Sequence, residues 1–138
     1  MIAYLDSSVL LRLVLGQPGA LTEWPQVEQG VASALVEVEC LRTLDRIRLE
    51  ERLDDGEVAT RREAVFRLLD SIEVVEITPP LLRRAAQPLP TTLGTLDAIH
   101  LATAATWREV RDGELVLATH DVALGNAARA TGLPVVGL

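Results

Sequence analysis

The amino-acid sequence predicts an α/β fold with a short, mostly parallel central sheet and helices on both of its faces. Short apolar segments alternate along the chain with longer segments of helical periodicity. Strands that are separated by helices pair in parallel through right-handed crossovers, which cover both faces of the sheet with helices. The length of 138 residues fits one domain that buries about two thirds of the surface of its unfolded chain. We therefore expect a single domain over residues 1–138.

The first half of the chain alternates two apolar segments with three helical ones. The strands are short runs of apolar or small residues, and the helices begin near capping residues and end at glycine or a polar turn. In chain order, the predicted elements are a strand at 2–5, a helix capped by Ser7 and Ser8 that ends at Gly16, a strand at 30–33, a helix from 34 to about 53, and a helix from about 57 to 71.

The second half contributes three more strands and three more helices. Proline pairs begin and end one helix, threonine is the expected cap of the next, and glycine ends the last. In chain order, the predicted elements are a strand at 73–77, a helix from Pro79 that stops before Pro88, a helix capped by Thr95 over 95–110, a strand at 115–118, a helix at 122–131 that ends at Gly132, and a strand at 135–136.

The charge of the chain argues against a nucleic-acid binder that works through a broadly basic surface. The formal net charge is −7, and all 13 basic residues are arginine. Divalent cations held by carboxylates would reverse the field locally, so a metal-dependent site for nucleic acid remains open. The arginines suit bidentate contacts with RNA phosphate or with a partner, although a solvated surface explains them equally well.

The single cysteine and the apolar pattern favour a reducing cytoplasm. Cys40 has the apolar residues Val38 and Leu41 as near neighbours and is expected to be a small buried hydrophobe. One cysteine excludes an internal disulfide and a multi-cysteine zinc site. The N-terminal segment is strand-like and lacks the features of a signal peptide. No stretch approaches the roughly 18 uninterrupted apolar residues of a membrane span.

Four carboxylates stand where an apolar segment meets a turn or where a helix opens. They are Asp6, Glu39, Asp97 and Asp121. Ligands of open parallel sheets collect beyond the carboxyl ends of the strands, so these acids are expected at one edge if the strand order makes the ends neighbours. Hard oxygen ligands gathered in this way suit Mg²⁺ or Mn²⁺.

Each of these acids also has a plain structural explanation. Asp6 and Asp121 could be helix N-caps, and Asp97 could be a first-turn residue that interacts with the helix dipole. Glu39 lies beside apolar residues on its helix, where a solvated role is less natural, but Glu37 shares that neighbourhood. From the residues alone, the choice between Glu37 and Glu39 stays open.

The two histidines and the missing lysine limit the other functions of such a site. His100 lies one turn after Asp97 and His120 precedes Asp121, and each is either a ligand or substrate contact or ordinary packing. They do not form a zinc motif. A receiver domain, an aspartate-dependent phosphatase and a P-loop protein ordinarily need a lysine, and the chain has none.

Four segments of the chain, taken in order, resemble the PIN-domain ribonucleases, and among these the VapC-type toxins of toxin-antitoxin pairs. These segments are 4–8, 33–42, 96–102 and 119–121. The resemblance covers essentially the whole chain and implies a three-layer PIN-like fold. It implies that Asp6, Glu39, Asp97 and Asp121 form an acidic quartet. The family spacing from Ser33 to Arg42 selects Glu39 over Glu37.

The resemblance also implies an activity and partners. It implies an endoribonuclease that depends on one or two Mg²⁺ or Mn²⁺ ions. The implied metal residues are Asp6, Asp97 and Asp121, with Asp6 and Asp97 as the chief ligands; whether Asp121 and Glu39 act directly or through water stays open, and a hydroxyl of Ser7 or Thr119 is expected nearby. The implied partners are an RNA substrate, a small antitoxin protein and a second copy of the chain. Which RNA is cut stays open. The alternative function is a non-catalytic PIN-like binding module.

Overall fold

Five strands and six α-helices alternate along the chain in the computed structural model, which describes residues 1–138. In chain order they are β1 Ile2–Leu5, α1 Ser7–Leu15, β2 Gln29–Ser33, α2 Leu35–Glu51, α3 Asp55–Asp70, β3 Glu73–Val75, α4 Pro79–Ala85, α5 Thr95–Arg111, β4 Val116–Ala118, α6 Val122–Ala130 and β5 Val135–Val136. A short 3-10 helix, Trp24–Gln26, lies between α1 and β2. The predicted α/β architecture is confirmed.

The sheet is parallel throughout, and β1 lies at its centre. The strand order is β3-β2-β1-β4-β5. Residues of β1 alternate between two apolar clusters: Ala3 and Leu5 pack on one face with α1 and α2, and Tyr4 packs on the other face with α5 and α6. On the first face α1, α2 and α3 contact one another, and on the second α5 contacts both α4 and α6. The three layers follow from this alternation of side chains along buried strands.

The strand order of the sheet reverses at the boundary between β1 and β4. From β1 the chain proceeds outward through β2 to β3, and it then returns to place β4 and β5 on the opposite side of β1. The register pairs Leu5 with Ala118, and the Asp6 amide donates to the Ala118 carbonyl over 3.1 Å. The carboxyl ends of β1 and β4 therefore form a topological switch point, where open α/β sheets bind their ligands.

Several element boundaries follow from local signals that the sequence displays. Helix α1 ends at Gly16, whose φ of 60° is left-handed. Helix α3 begins with a reciprocal capping box, in which the Glu57 amide donates to Asp54 Oδ1 over 2.8 Å and the Asp54 amide donates to Glu57 Oε2 over 3.0 Å. This box starts α3 at Asp55, two residues earlier than the sequence predicts.

Two predicted helix caps are wrong. Asp6, rather than Ser7 or Ser8, occupies the N-cap position of α1, and both serines lie inside the first turn. Their hydroxyls donate to carboxylates instead, because an ionised acceptor forms the stronger hydrogen bond. Likewise, Thr95 is the first residue of α5, and Gly94 holds the N-cap position without a side-chain hydrogen bond. No helix of the chain combines the length and the apolar character needed to cross a membrane.

Candidate active site

Asp6 is the buried centre of the candidate site. It follows β1 directly, and only 4% of its surface is exposed. Ser8 Oγ donates to Asp6 Oδ2 over 2.6 Å, and Thr119 Oγ1 donates to the same oxygen over 2.9 Å. Ser7 Oγ lies 3.4 Å from Asp6 Oδ1. These hydroxyls come from α1 and from the end of β4, and they offset the cost of burying the carboxylate.

Thr119 connects Asp6 to Asp121. Thr119 follows β4 and is fully buried, and its Oγ1 accepts the Asp121 amide over 2.9 Å while donating to Asp6. Asp121 Oδ1 accepts the Leu124 amide over 2.9 Å, so Asp121 is the N-cap of α6. Asp121 Oδ2 forms no hydrogen bond within the protein, and the residue is exposed. The capping explanation for Asp121 is therefore correct, and it leaves one oxygen free.

Glu39 reaches the site from α2, whereas Glu37 does not. Glu39 Oε1 lies 2.6 Å from His100 Nε2, and Ser7 Oγ lies 3.3 Å from Glu39 Oε2. The Glu39 side chain is 19% exposed. Glu37 is exposed and forms no hydrogen bond or ion pair. The two glutamates are two residues apart on a helix and so point in different directions.

Asp97 lies in the first turn of α5 and is half-buried. It forms no side-chain hydrogen bond. Burial raises the pKa of Asp97 above its ordinary value, and repulsion from Asp121 and Asp6 raises it further. Glu39 adds to this rise and His100 opposes it. All three of the other acids thus lie near enough to act on Asp97, which indicates one shared acidic site.

His100 and Tyr4 lie behind this cluster, in the core. Both are 0% exposed, and the Tyr4 hydroxyl lies 2.9 Å from His100 Nδ1. Burial alone lowers the pKa of His100, but the hydrogen bond and charge of Glu39 and the charges of Asp6 and Asp97 raise the pKa above its ordinary value. His100 is thus a positive counterpart to the acids when it is protonated.

The donor set of this edge fits a hydrated divalent ion. Carboxylate oxygens are the ligands that Mg²⁺ and Mn²⁺ prefer, and the mutual repulsion that raises the pKa of Asp97 would be relieved by a cation. No three histidine, cysteine, aspartate or glutamate side chains converge closely enough to enclose a metal ion by themselves. Mg²⁺ in proteins usually binds one or two carboxylates and keeps several waters, so it does not need such an enclosure.

Two residues contribute to the site although the sequence predicts only a structural role for them. The sequence predicts Ser8 as a helix cap, but its hydroxyl donates the shortest hydrogen bond to Asp6 and accepts the His120 amide over 3.0 Å. The sequence predicts Tyr4 as a strand residue, and its hydroxyl lies 2.9 Å from His100 Nδ1. His120 itself forms no contact with the acids through its ring, because His120 Nδ1 lies 2.6 Å from the Gly137 carbonyl oxygen.

The chain is similar to known proteins in sequence and in fold. Residues 3–130 match the family model described as PIN domain. Ribonuclease VapC46 of Mycobacterium tuberculosis is 36% identical over 96% of this chain and 95% of its own length. Ribonuclease VapC47 of the same species is 30% identical over 94% of this chain and 91% of its own length. A toxin-antitoxin complex from Klebsiella pneumoniae has the same fold, with a TM-score of 0.64 at 21% identity over 97% of this chain and 95% of that one.

Proposed function

Because the chain belongs to the PIN-domain family, we propose that it is an endoribonuclease and the toxin of a toxin-antitoxin pair. The observation that carries this proposal is that Thr119 links Asp6 to Asp121 and Ser7 links Asp6 to Glu39, while these three acids raise the pKa of the fourth, Asp97. Two relatives that align with nearly the whole chain are named ribonucleases, which supports the same activity.

The proposed cofactor is Mg²⁺ or Mn²⁺, held by Asp6, Asp97 and Asp121. When bound, such an ion lowers the pKa of a coordinated water and neutralises charge on the phosphate group that is cut. The local field would then attract RNA although the chain carries a net charge of −7. Nine of the 13 arginines form an ion pair with an acid or a hydrogen bond to a backbone carbonyl, and the other four form neither.

The carboxylates of this site differ in how firmly the protein holds their oxygens. Asp6 is buried and accepts hydrogen bonds from two hydroxyls at short distance, so it would be a fixed ligand. Asp97 has both oxygens free, and Asp121 has Oδ2 free, so these acids are able to adjust to water or phosphate. Glu39 Oε2 has only the long contact to Ser7, so it would be free to accept a proton from the attacking water.

The proposed partners are a small antitoxin and a second copy of the chain. The structural relative from Klebsiella pneumoniae is a toxin-antitoxin complex, and an acidic edge of this kind would attract an arginine from an antitoxin segment. We further propose that residues 1–138 act as one domain in the cytoplasm, which agrees with a free, buried Cys40.

Cleavage of a total RNA pool by the purified chain tests the activity. We expect cutting with Mg²⁺ or Mn²⁺, none with a chelator, and loss of cutting in Asp97→Asn. Asp55→Asn is the matched control, because Asp55 is also an acid in the first turn of a helix but is exposed and belongs to α3. Equal cutting by wild type and Asp97→Asn, or cutting that a chelator leaves unchanged, would contradict a metal-dependent nuclease.

Growth on expression tests the toxin assignment separately. We expect the wild-type chain to arrest growth and the Asp97→Asn variant not to do so. Co-expression of a small protein encoded beside this chain should restore growth if that protein is the antitoxin. If the chain cuts RNA in vitro but does not slow growth, the nuclease assignment stands and the toxin assignment is wrong. A chain that does neither would favour the binding-module alternative.

A further inference from the structure

A chain of three polar groups runs from the core to the acidic site. The Tyr4 hydroxyl lies 2.9 Å from His100 Nδ1, and His100 Nε2 lies 2.6 Å from Glu39 Oε1. We propose that His100 is a positioning residue that holds Glu39 in the orientation needed for RNA cleavage, and that the Tyr4 hydroxyl fixes the His100 ring. The role of His100 rests on the proposed ribonuclease function, since it acts through Glu39.

Burial excludes direct contact between these two residues and RNA. Tyr4 and His100 are both 0% exposed and are covered by the sheet and by α5. Glu39, with 19% of its side chain exposed, is the only acid of the site that lies within hydrogen-bond distance of His100. His100 Nε2 lies 3.9 Å from Asp6 Oδ1, which is too far for a hydrogen bond, so His100 orients Glu39 and not Asp6. This distinguishes His100 from a catalytic residue in the strict sense.

Because a carboxylate only accepts hydrogen bonds, His100 Nε2 carries the proton that faces Glu39 in either charge state of the ring. In neutral His100, the Tyr4 hydroxyl donates to Nδ1, and Nε2–H donates to Glu39 Oε1. In protonated His100, Nδ1–H donates to the Tyr4 oxygen, and Nε2–H again donates to Glu39. The direction of the bond to Glu39 is the same in both states, so the positioning does not depend on titration of the ring.

The arrangement limits the freedom of a long side chain. Glu39 is on α2, His100 on α5 and Tyr4 on β1, so the three groups join both helical layers across the sheet. Without His100, Glu39 would keep only the 3.3 Å contact to Ser7 and would be free to turn toward solvent. Metal-site ligands commonly owe their orientation to such outer partners. An apolar residue in place of His100 would fill the same space without directing Glu39.

A double-mutant cycle between His100 and Glu39 tests this role in RNA cleavage. We expect His100→Leu to lower kcat by about 10- to 100-fold, the usual cost of losing an outer partner, with KM for RNA changed less than kcat. His100→Gln, whose amide is able to donate to Glu39, should recover part of the loss. In a Glu39→Gln background, His100→Leu should have no further effect. Glu37→Gln is the matched control and should cut RNA like wild type.

Imidazole NMR gives a readout that does not need RNA cleavage. The chain has only two histidines, so ¹⁵N-histidine labelling gives two ring systems, and His120→Gln identifies which is which. In the metal-free protein, Glu39→Gln should shift His100 Nε2, and Tyr4→Phe should shift His100 Nδ1. Neither should move the His120 ring, whose Nδ1 partner is the Gly137 carbonyl.

These two measurements separate the failure of this inference from failure of the ribonuclease proposal. If His100→Leu and Glu39→Gln multiply their effects on kcat, or if His100→Leu cuts RNA normally, the positioning role is overturned while the nuclease stands. If the His100 ring is unchanged in Glu39→Gln, the contact itself is overturned. Should His100→Leu not fold, Tyr4→Phe takes its place, because it removes only the hydroxyl and keeps the ring. It should lower kcat less than His100→Leu, and it should have no further effect on kcat in a Glu39→Gln background.

Discussion

The Thr119 hydroxyl donates to Asp6 Oδ2 over 2.9 Å although the two residues are 113 positions apart in the sequence. The contact joins the carboxyl end of β4 to the carboxyl end of β1, at the point where the strand order reverses. Thr119 Oγ1 also accepts a hydrogen bond from the Asp121 amide, so a single buried hydroxyl sets the positions of two acids of the candidate site.

We expect Thr119→Val to destabilise the protein by about 1–3 kcal/mol, the cost of leaving buried polar groups without a partner. The substitution preserves the shape of the side chain but leaves the Asp121 amide unpaired and removes one donor from Asp6. Urea unfolding gives the free energy. Thr119→Ser retains the hydroxyl and is the control. Equal stability of the valine variant and wild type would mean that water replaces the hydroxyl.

The stability of the metal-free protein should fall with rising pH through the titration of Asp97. The folded-state pKa of Asp97 lies above its ordinary value of 3.8 because of burial and the repulsion of Asp121 and Asp6. Its contribution is therefore fully present below pH 3.8 and is lost as the pH rises through the raised value. Asp97→Asn cannot lose a proton, so we expect it to be more stable than wild type at pH 7.

Urea unfolding of both proteins across pH, in a chelating buffer, measures this difference. The gap between Asp97→Asn and wild type should close as the pH falls to the ordinary pKa of an aspartate. Mg²⁺ should reverse the order at pH 7, because the site with the Asp97 carboxylate binds the cation more tightly than the site with asparagine. Parallel curves for the two proteins at all pH values would mean that Asp97 is not held among like charges.

The fold was predictable because its signals are local. Gly16, Asp54 and Glu57 each help to set a helix boundary through contacts with residues within about one helical turn. The alternation of Ala3, Tyr4 and Leu5 between two apolar clusters follows from the pleat of a strand. Such features need no knowledge of distant parts of the chain.

The interior of the site was not predictable in this way. Tyr4 and His100 are 96 residues apart, and His100 and Glu39 are 61 apart, so their contacts depend on how α2 and α5 lie across the sheet. The N-cap of α5 was not predictable either, although it is a local feature: the sequence favours Thr95, but Thr95 is the first residue of the helix. Gly94 occupies that position with an ordinary extended φ of −70°, and nothing in the local sequence separates the two choices.

Divalent ions should raise the melting temperature of the protein in a concentration-dependent way. Any ligand that binds the folded chain and not the unfolded chain stabilises it, and here the ion would also relieve repulsion among the acids. Thermal unfolding in a titration of Mn²⁺ measures the effect. We expect Asp97→Asn to weaken the response and the exposed control Asp55→Asn to retain it. An equal response in both variants would place the ion elsewhere.

The single thiol should be inert in the folded protein. Cys40 is 1% exposed, and burial raises its pKa to about 12, with repulsion from Glu39 and Asp6 adding to the rise. Almost no thiolate is then present at pH 8, and the thiolate is the reactive form. We expect a thiol reagent to label the chain only after unfolding in urea, and RNA cleavage to survive exposure to the reagent. Fast labelling of the native protein would show that α2 opens locally.

Ser8→Ala should weaken metal binding by roughly 10-fold, because outer hydrogen bonds orient metal-ligating carboxylates. Ser8 Oγ donates to Asp6 Oδ2 over 2.6 Å and accepts the His120 amide over 3.0 Å, so its loss frees one side of Asp6. Calorimetric titration with Mn²⁺ measures the affinity. Ser71→Ala is the matched control, since the Ser71 hydroxyl donates over 2.7 Å to the Leu68 carbonyl at the end of α3. Equal affinities in the two variants would mean that Thr119 alone is enough to fix Asp6.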